Sequence, residues 1–470
     1  MAEKLKKSQI ADVDRGVYDI KNDFEYSYKS DAGLTEDVIR EIWENKNEPK
    51  WMLEARLKSL EIYNQLDIPN WVPDISGLHM DNIVTYVKPK TDMKGSWDEV
   101  PEDIKDTFDR LGIPEAEKTT LAGVGAQYDS EMVYHSLQED LKKQGVVYMD
   151  METALNEYED IVHQYWMILI KPTDHKFAAL HGAVWSSGSF VYIPEGVQVD
   201  IPLQSYFRLN APGAGQFEHT MIIVEKGASV HFIEGCSAPK YNVANLHAGA
   251  VELFVKENAR LRYSTIENWS KNMYNMNTKR ALVDKNGTIE WVSGSFGSHV
   301  SCLYPTSILR GEGAHCEFTG VTFAGEGQFL DTGSGVVHAA PYTTSNVNTK
   351  SISKSGGAAI YRGMVNIEKN ADHAKSTVSC ESLMLDEISQ SDTIPSIKVD
   401  NDNVDLGHEA KIGRISDEAI FYLMTRGISE EEARAMLVRG FVEPISKELP
   451  LEYAVEMNNL ISLELEGSIG

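Results

Sequence analysis

The 470-residue chain is poor in cysteine and carries a large excess of negative charge. Its four cysteines, at 236, 302, 316 and 380, form no Cys-x-x-Cys pair, which excludes a disulfide scaffold, a zinc ribbon and a thioredoxin-like pair. We therefore expect free thiols in a reducing cytoplasm. The net charge of −27 argues against nucleic acid as the main ligand and against an anionic membrane surface, because both require a basic face.

Long apolar runs and the common catalytic motifs are also missing. No stretch of about 18 apolar residues occurs, so we expect no membrane span, and the charged start Met1-Ala-Glu-Lys predicts no secretory signal. The sequence contains no Gly-x-x-x-x-Gly-Lys-Ser/Thr loop, which predicts that the chain hydrolyses no nucleotide itself. It also contains no His-Glu-x-x-His pair, no Gly-x-Ser-x-Gly elbow and no His-x-His pair, the marks of three other catalytic or metal sites.

Helical patterns are present towards both ends of the chain. Thr35 is placed to cap a first helix, and Pro49 to begin a second. Residues 67–128 are rich in proline, glycine and charge and predict irregular structure, whereas residues 130–165 show a helical pattern again.

The C-terminal pattern is helical as well. We predict helices over 417–425 and 451–465, and between them a helix that begins at Ser429, where Glu432 completes a capping box. The predicted regions are an N-terminal helical and irregular region over 1–165, a β-helix core over 166–415, and a C-terminal helical region over 416–470.

An internal repeat with a period of about 30 residues fills the middle of the chain. Each copy has an apolar residue, two or three polar residues, Gly or Asn, and then alternating apolar and polar residues. The copies begin at Val224, Val255, Val283, Leu309, Ile367 and Val399, with a looser copy at Ile193 and a degenerate copy near residue 338. This pattern predicts stacked coils in a β-solenoid. A propeller needs longer blades, of about 40–50 residues, and a jelly roll, the alternative fold, would not show the repeat.

The repeat region holds the thiols, histidines and carboxylates that are candidates for chemistry. Residues with equal phase in the repeat stack in a column on coils about 4.8 Å apart. Cys236 and Cys380 have nearly equal phase but lie about five coils apart, so they cannot share a ligand. Cys380 and the His408–Glu409 pair lie on consecutive coils, so one metal site can span them if their phases match, but their positions in the repeat differ by about three residues. From these residues alone the alternatives stay open, because a lone cysteine in a β core is usually a small buried hydrophobe.

Several stretches of the sequence are similar to those of one known family. They are Glu48-Pro-Lys-Trp-Met-Leu, Tyr192-Ile-Pro-Glu-Gly-Val, His231-Phe-Ile-Glu-Gly-Cys-Ser-Ala-Pro, Asn268-Trp, Thr278-Lys-Arg, His408-Glu-Ala-Lys-Ile-Gly-Arg-Ile-Ser and Arg426-Gly-Ile-Ser-Glu-Glu-Glu-Ala. In these stretches, and nearly from end to end, the chain resembles the SufB-type iron–sulfur cluster assembly scaffolds of the SufB/SufD family. The resemblance implies a right-handed parallel β-helix core between helical regions, and an assembly scaffold that is not itself an enzyme.

The resemblance also implies roles for individual residues. Cys236 matches the position that accepts sulfur as persulfide, and Cys380 matches the thiol at which the cluster is built, with His408 and Glu409 as further metal ligands. The positions proposed to line the sulfur route between the thiols are Arg208, Asn210, Glu267, Trp269 and Lys279. We expect a cation such as Lys279 to lower the pKa of a nearby thiol and so favour the persulfide anion. Cys302 and Cys316 match no role and are expected to be core residues.

The family resemblance further implies partners and cargo. The C-terminal helices resemble the docking region for the SufC ATPase, which agrees with the missing nucleotide loop, and the β-helix would pair with the SufD paralogue. A cysteine desulfurase with its sulfur-transfer partner would supply persulfide, and recipient apo-proteins would take the transient iron–sulfur cluster. The family is also linked to reduced FAD (FADH2) as electron source, although no flavin motif is readable here. One thiolate with a carboxylate or imidazole holds iron less firmly than four thiolates, which suits transfer, and a partner is expected to complete the ligands.

This sequence departs from the family pattern at three places. No cysteine precedes Cys236, none follows Cys380, and Glu267 stands where glutamine is frequent. The additional cysteines that some family members carry before the Cys236 position or after the Cys380 position therefore cannot be essential ligands in this chain. Two alternative functions stay open: a structural partner like SufD that holds an ATPase but no cluster, and a β-solenoid polysaccharide lyase or hydrolase, a class that is usually secreted.

Overall fold

The computed structural model describes residues 19–22, 26–110, 121–447 and 459 of the chain. A parallel β-solenoid occupies the middle of the chain, with helices before and after it, which confirms the predicted fold class. Apart from Asn459, the predicted helix over 451–465 lies outside the described residues. Within the part of the chain that is described, no helix has the length and apolar character needed to cross a bilayer.

The helices lie mainly before and after the solenoid strands. They are α1 (Glu36–Lys46), α2 (Lys50–Gln65), α3 (Glu102–Arg110), α4 (Glu139–Lys143), α5 (Met151–Glu157), α6 (Glu159–Tyr165), α7 (Lys176–Val184), α8 (Asp417–Met424) and α9 (Glu430–Ser446), with 3-10 turns at Met80–Asn82 and Trp97–Glu99. The Thr35 hydroxyl accepts the Val38 amide hydrogen at the start of α1, and the Ser429 hydroxyl accepts that of Glu432 at the start of α9. Both predicted helix caps are therefore confirmed.

The strands are mostly short near the start of the solenoid and ten residues long near its end. In chain order they are β1 (Tyr26–Lys29), β2 (Val87–Pro89), β3 (Gly123–Tyr128), β4 (Glu131–Leu137), β5 (Val147–Asp150), β6 (Ser189–Ile193), β7 (Leu203–Arg208), β8 (Gly215–Gln216), β9 (His219–Val224), β10 (Ser229–Ser237), β11 (Asn245–His247), β12 (Ala250–Val255), β13 (Arg260–Trp269), β14 (Met273–Asn275), β15 (Thr278–Val283), β16 (Thr288–Gly297), β17 (Val300–Leu303), β18 (Thr306–Leu309), β19 (His315–Ala324), β20 (Phe329–His338), β21 (Thr344–Ser353), β22 (Ala358–Ile367), β23 (Lys375–Met384), β24 (Gln390–Val399) and β25 (Asp405–Arg414).

Two sheets form the walls of the solenoid. The first wall has the strand order β25-β23-β21-β19-β16-β13-β10-β7-β3-β4. The second wall begins as two branches, β5-β6-β9-β12-β15-β18 and β8-β11-β14-β17, which both pair with β20, and β22 and β24 follow. The early coils therefore have three strands each and the late coils two.

The predicted repeat starts lie in one column of the second wall. Ile193, Val224, Val255, Val283, Leu309, His338, Ile367 and Val399 are paired in register from strand to strand. His338 is the degenerate copy, and its buried imidazole bonds to the hydroxyls of Thr343 and Ser345. In the turns that follow, Gly227 and Asn258 have positive φ, a conformation that glycine and asparagine tolerate best. The repeat analysis is thereby confirmed residue by residue.

The segment from 130 to 137 corrects the predicted helix. There β4 forms an antiparallel hairpin with β3, and β3 pairs in parallel with β7 of the solenoid. Once β3 has paired with β7, its other edge offers a row of unpaired backbone groups, and pairing of β4 with this edge outweighs a weak local helical pattern. Helices occupy only the later part of the segment, in α4, α5 and α6.

Helix α9 packs on a face of the solenoid. Val438, Val442 and Ile445 on α9 contact the outer surface of the first wall, which includes Val292 and Phe323. The helix therefore covers the face of this wall, and not the end strand β25 as a terminal cap would.

A buried ion pair anchors α2 to the helix that leads into the solenoid. Arg56 Nη2 lies 2.5 Å from Glu48 Oε1, and these side chains are 0% and 1% exposed. Arg56 also donates to the carbonyl oxygens of Ala183 and Trp185, at 3.1 and 2.9 Å. The guanidinium thus satisfies one carboxylate and the C-terminal end of α7 together.

We expect Arg56→Ala to lower the free energy of unfolding by about 3–5 kcal/mol, because the Glu48 carboxylate would stay buried without a partner. Urea unfolding followed by circular dichroism measures this loss. The control is Arg40→Ala, which breaks the exposed pair with Glu36 at 2.6 Å and should cost less than about 1 kcal/mol. Equal losses of unfolding free energy in the two variants would show that the buried pair contributes no more to stability than the exposed one.

Candidate functional site

Cys236 and Cys380 both lie on the first wall and face the inside of the solenoid. Cys236 is in register with Glu267, Ser295, Thr322, Ser351 and Ser382, here called the Cys236 column. Cys380 is in register with Thr349, Gly320, Ser293, Thr265 and Glu234, the Cys380 column, which lies two residues away on the same face of the sheet. Strands β13, β16, β19 and β21 separate the two thiols, a span of roughly 24 Å.

These two columns carry hydroxyl and carboxyl side chains and one glycine between the thiols. A cavity of ≈ 20 Å³ lies beside Cys380, between the columns, which is room for about one water molecule. Its lining includes Ser293, Ser295, Thr322, Thr349, Ser351 and Ser382. The interior between the thiols is therefore polar along this wall, in contrast to the apolar interior of an ordinary β core.

Cys236 lies in a cluster of buried charges. Lys279 reaches across from β15 of the second wall, with its Nζ 3.2 Å from Glu234 Oε1 and 3.4 Å from Glu267 Oε1, and all three side chains are 0% exposed. Burial raises the pKa of the Cys236 thiol well above its usual value, and the carboxylates of Glu234, Glu218 and Glu267 raise it further. Lys279 lowers this pKa, as expected from the sequence, but the net shift is upward, which corrects the expectation of a lowered pKa.

His247 extends this cluster on the side of Trp269. Its Nε2 lies 2.5 Å from Glu218 Oε1 and its Nδ1 lies 2.8 Å from Asn275 Oδ1. The Asn275 amide in turn donates to Glu267 Oε2 at 2.6 Å. The imidazole ring packs against the Trp269 indole with ring centres 4.6 Å apart. We call Glu218, Glu234, Glu267, Lys279 and His247 together the Cys236 charge cluster.

Sequence reasoning found only part of this cluster. It named Glu267, Trp269 and Lys279, and it missed Glu218, Glu234, His247 and Asn275. Glu234 could have been predicted from the sequence, because it lies two residues before Cys236 and so faces the same side of the strand. The other three come from different strands or turns, and only the closing of the coil brings them together.

Arg208 and Asn210 lie outside the charge cluster. Arg208 Nη1 donates to Ser237 Oγ at 2.9 Å, and Nη2 donates to the Ile20 carbonyl at 2.8 Å. Ser237 follows Cys236 on β10 and therefore faces the opposite side of the sheet. The Asn210 side-chain amide donates to the Asn22 carbonyl at 3.1 Å. Both residues are thus buried beneath the N-terminal segment, on the other face of the wall from the thiol.

Cys380 is paired with His408 at the end of the solenoid. The thiol Sγ lies 3.6 Å from His408 Nε2 on β25. Burial raises the pKa of Cys380 to about 11, although hydrogen bonds with Thr349 and Tyr361 lower it. The thiol is therefore protonated at neutral pH, and a bound metal ion would have to displace that proton.

The structure does not bring Glu409 to Cys380. Glu409 is in register with Ser379, so it faces the other side of β25 from His408. Its side chain is 64% exposed and pairs with Lys411 at 3.1 Å. The predicted metal ligands are therefore divided between the two faces of the first wall, with Cys380 of β23 and His408 of β25 on the inner face and Glu409 on the outer face.

The last coil and helix α8 both expose apolar side chains. Among the described strands, β25 pairs only with β23 and β24 only with β22, which leaves an open edge on each wall. Ile394, Ile397 and Ile412 on these strands are 41%, 45% and 47% exposed. On α8, Phe421 is 67% exposed and Tyr422 58%. Such surfaces on a folded chain are typical of protein interfaces.

The surface groove near the end of α9 does not fit a flavin. Its volume is ≈ 650 Å³ and its lining includes Arg260, Glu290, Lys350 and Glu381, with no aromatic side chain to pack against an isoalloxazine ring. We therefore derive no step through a flavin bound to this chain.

Comparison with known proteins identifies the family. Residues 40–205 match the model of the SufBD protein N-terminal region, and residues 207–441 match that of the SufBD core domain of SUF-system FeS cluster assembly. The chain is 53% identical over 443 residues to the iron–sulfur cluster assembly protein SufB of Bacillus subtilis, covering 94% of this chain and 95% of that protein. It is 51% identical over 465 residues to an iron–sulfur cluster assembly SufBD family protein of Staphylococcus aureus (strain MRSA252), with 99% of each chain covered. This chain therefore belongs to the SufBD family of iron–sulfur cluster assembly proteins.

Proposed function

We propose that this chain is a scaffold on which iron–sulfur clusters are assembled from persulfide sulfur and iron, within a SufB–SufC–SufD complex, for transfer to apo-proteins. One observation carries the proposal: Cys236 and Cys380 face the interior from the same wall, in neighbouring columns of polar side chains. Cys236 receives sulfur from a cysteine desulfurase through its sulfur-transfer partner, and Cys380 is the thiol of cluster assembly.

The polar columns support a sulfur route between the thiols. A sulfane sulfur carried as a persulfide is polar, and the hydroxyl groups of Ser293, Thr322 and Thr349 offer it hydrogen bonds along the wall. Glu267, Trp269 and Lys279 belong to the route at its Cys236 end. Arg208 and Asn210 hold the N-terminal segment over the outer face of the same strands. They therefore influence the sulfur route indirectly, by keeping β7 and β10 in position.

The Cys380 end supports assembly with weak ligation. Cys380 and His408 supply one thiolate and one imidazole from this chain. Glu409 faces the opposite side of β25, so the carboxylate ligand expected at this position would have to come from the partner subunit. A set with a single thiolate holds iron less firmly than four thiolates, which suits release to a recipient. The open edge of β25 leaves room for SufD to complete the ligands.

The exposed surfaces support the two subunit contacts. We assign the edge of β24 and β25 to the SufD paralogue and the exposed aromatic side chains of α8 to the SufC ATPase, the separate chain on which ATP is hydrolysed. The cysteines at 236, 302, 316 and 380 are free thiols, which supports a location in the reducing cytoplasm.

Loss of the Cys380 thiol is expected to abolish cluster assembly. In anaerobic reconstitution of the complex with iron and sulfide, Cys380→Ala should lower the cluster absorbance by about ten-fold or more, because a direct ligand is lost. The matched control is Cys316→Ala, which removes a similarly buried thiol from the same wall; this thiol donates a hydrogen bond to Ser307 Oγ at 3.3 Å. Undiminished absorbance with Cys380→Ala would overturn the assignment, and a wild-type complex that binds no iron would favour a purely structural subunit.

Loss of the Cys236 thiol is expected to abolish sulfur uptake. After incubation with a desulfurase and cysteine, mass spectrometry should find a persulfide at residue 236 of the wild type and none at this position in Cys236→Ser, because the thiol sulfur is the only nucleophile there. The control is Cys302→Ser, which removes a buried thiol from the second wall and should leave the labelling of Cys236 unchanged. Labelling at Cys302 or Cys316 in place of Cys236 would contradict the proposed route.

A further inference from the structure

With Lys279 as its cation, the site around Cys236 has an excess of negative charge, which a second cation would reduce. Three buried carboxylates, Glu218, Glu234 and Glu267, face one buried ammonium, that of Lys279. Buried charges are stable only when they are paired and hydrogen-bonded. A persulfide anion on Cys236 would add yet another negative charge to the same site.

The hydrogen bonds of His247 identify that cation. Its Nε2 faces the Glu218 carboxylate, which can only accept a hydrogen bond when ionised. Its Nδ1 faces Asn275 Oδ1, and this orientation of the amide is required because the Asn275 nitrogen donates to the Glu267 carboxylate. Both ring nitrogens therefore face acceptors, and both carry protons.

The electrostatic surroundings of His247 also favour its doubly protonated, positively charged state. Burial lowers the pKa of His247, but the carboxylate of Glu218 and that of Glu267 outweigh this effect and raise the pKa above its usual value. The other ionisable groups around His247 and Cys236 are His181 of α7, Tyr263 of β13, Glu234 and Lys279.

We propose that His247, held as an imidazolium by Glu218 and Asn275, is a positioning residue that supplies the second positive charge required for sulfur transfer to Cys236. The inference rests on the proposed function, since it assigns a role in the sulfur uptake of that same thiol. His247 acts through its neighbours: it packs on Trp269, which lies in one apolar cluster with Cys236. It pairs with Glu218, and through Asn275 it is connected to Glu267.

The transfer step can be written with atoms and electrons in balance. The donor is a persulfide, R–S–S–H, and Cys236 Sγ forms a bond to its terminal sulfur while the donor S–S bond breaks. The thiol proton of Cys236 passes to a carboxylate of the charge cluster, and that carboxylate then gives the proton to the departing donor thiolate, which becomes R–S–H. Cys236 is thereby oxidised to the persulfide and the donor is reduced to the thiol. Every stage in which Cys236 carries negative charge is favoured by the imidazolium.

The test is the pH dependence of sulfur uptake by the full chain. Glutathione persulfide serves as the donor, and the initial rate of addition of one sulfur atom at Cys236 is followed by mass spectrometry. We expect His247→Gln to slow uptake by roughly ten-fold near neutral pH and to move the rise of the pH profile upward by about one unit, because the Cys236 anion loses a cation. Glu267→Gln should have the opposite effect, a faster uptake with a rise at lower pH, because it removes a negative charge.

Matched variants separate electrostatics from structural damage. The control is His231→Gln on the same strand as Cys236, where the imidazole bonds to Ser264 Oγ at 2.9 Å on the other face of the sheet; its profile should equal that of the wild type. His247→Lys, which keeps a positive charge, should restore at least part of the rate. Thermal unfolding shows whether each variant is folded. If His247→Gln does not fold, the inference is tested by the direction in which Glu267→Gln shifts the pH profile of sulfur uptake.

The possible outcomes are distinct. A His247→Gln profile identical to that of the wild type, or slower uptake in both His247→Gln and Glu267→Gln, would overturn the inference while leaving the sulfur acceptor in place. A wild-type chain that takes up no sulfur at Cys236 at any pH would instead overturn the proposed function itself.

Discussion

In-register stacking of successive coils is the constraint on which the rest of this structure depends. Each strand of the first wall pairs with the next at a fixed offset, so a residue's position in the repeat decides which column it joins and which side of the sheet it faces. A slip of one residue at any coil would turn every later side chain to the other face. Cys236 and Cys380 point into one interior only because five successive pairings keep the register.

The same stacking buries charge that an isolated coil could not hold. Lys279 comes from the second wall and meets Glu234 and Glu267 from the first, at a place where no solvent reaches any of the three. Such a cluster costs desolvation energy, and well-packed apolar side chains of the same volume are often at least as stabilising. At Cys236, burial and the neighbouring carboxylates raise the pKa of the thiol, whereas the Lys279 ammonium lowers it.

The helical regions serve the solenoid in different ways. At the N-terminal end, the Arg56–Glu48 pair and the β3–β4 hairpin close the first coils. At the C-terminal end, α9 covers the outer face of the first wall and leaves β25 uncovered. One end of the solenoid is thus closed, whereas the other, among the described residues, keeps unpaired strand edges beside Cys380 and His408.

The sequence by itself determined the repeat, its period and its starting residues, because each coil needs the same apolar position and a glycine or asparagine in the same turn. It also determined the caps at Thr35 and Ser429, which depend on local hydrogen bonds alone. Only the tertiary structure decided that residues 131–137 pair with a strand edge, that Glu409 faces away from Cys380, and that Glu218, His247 and Asn275 meet beside Cys236. These outcomes depend on pairings between residues that are distant in the chain, and no local pattern encodes such pairings.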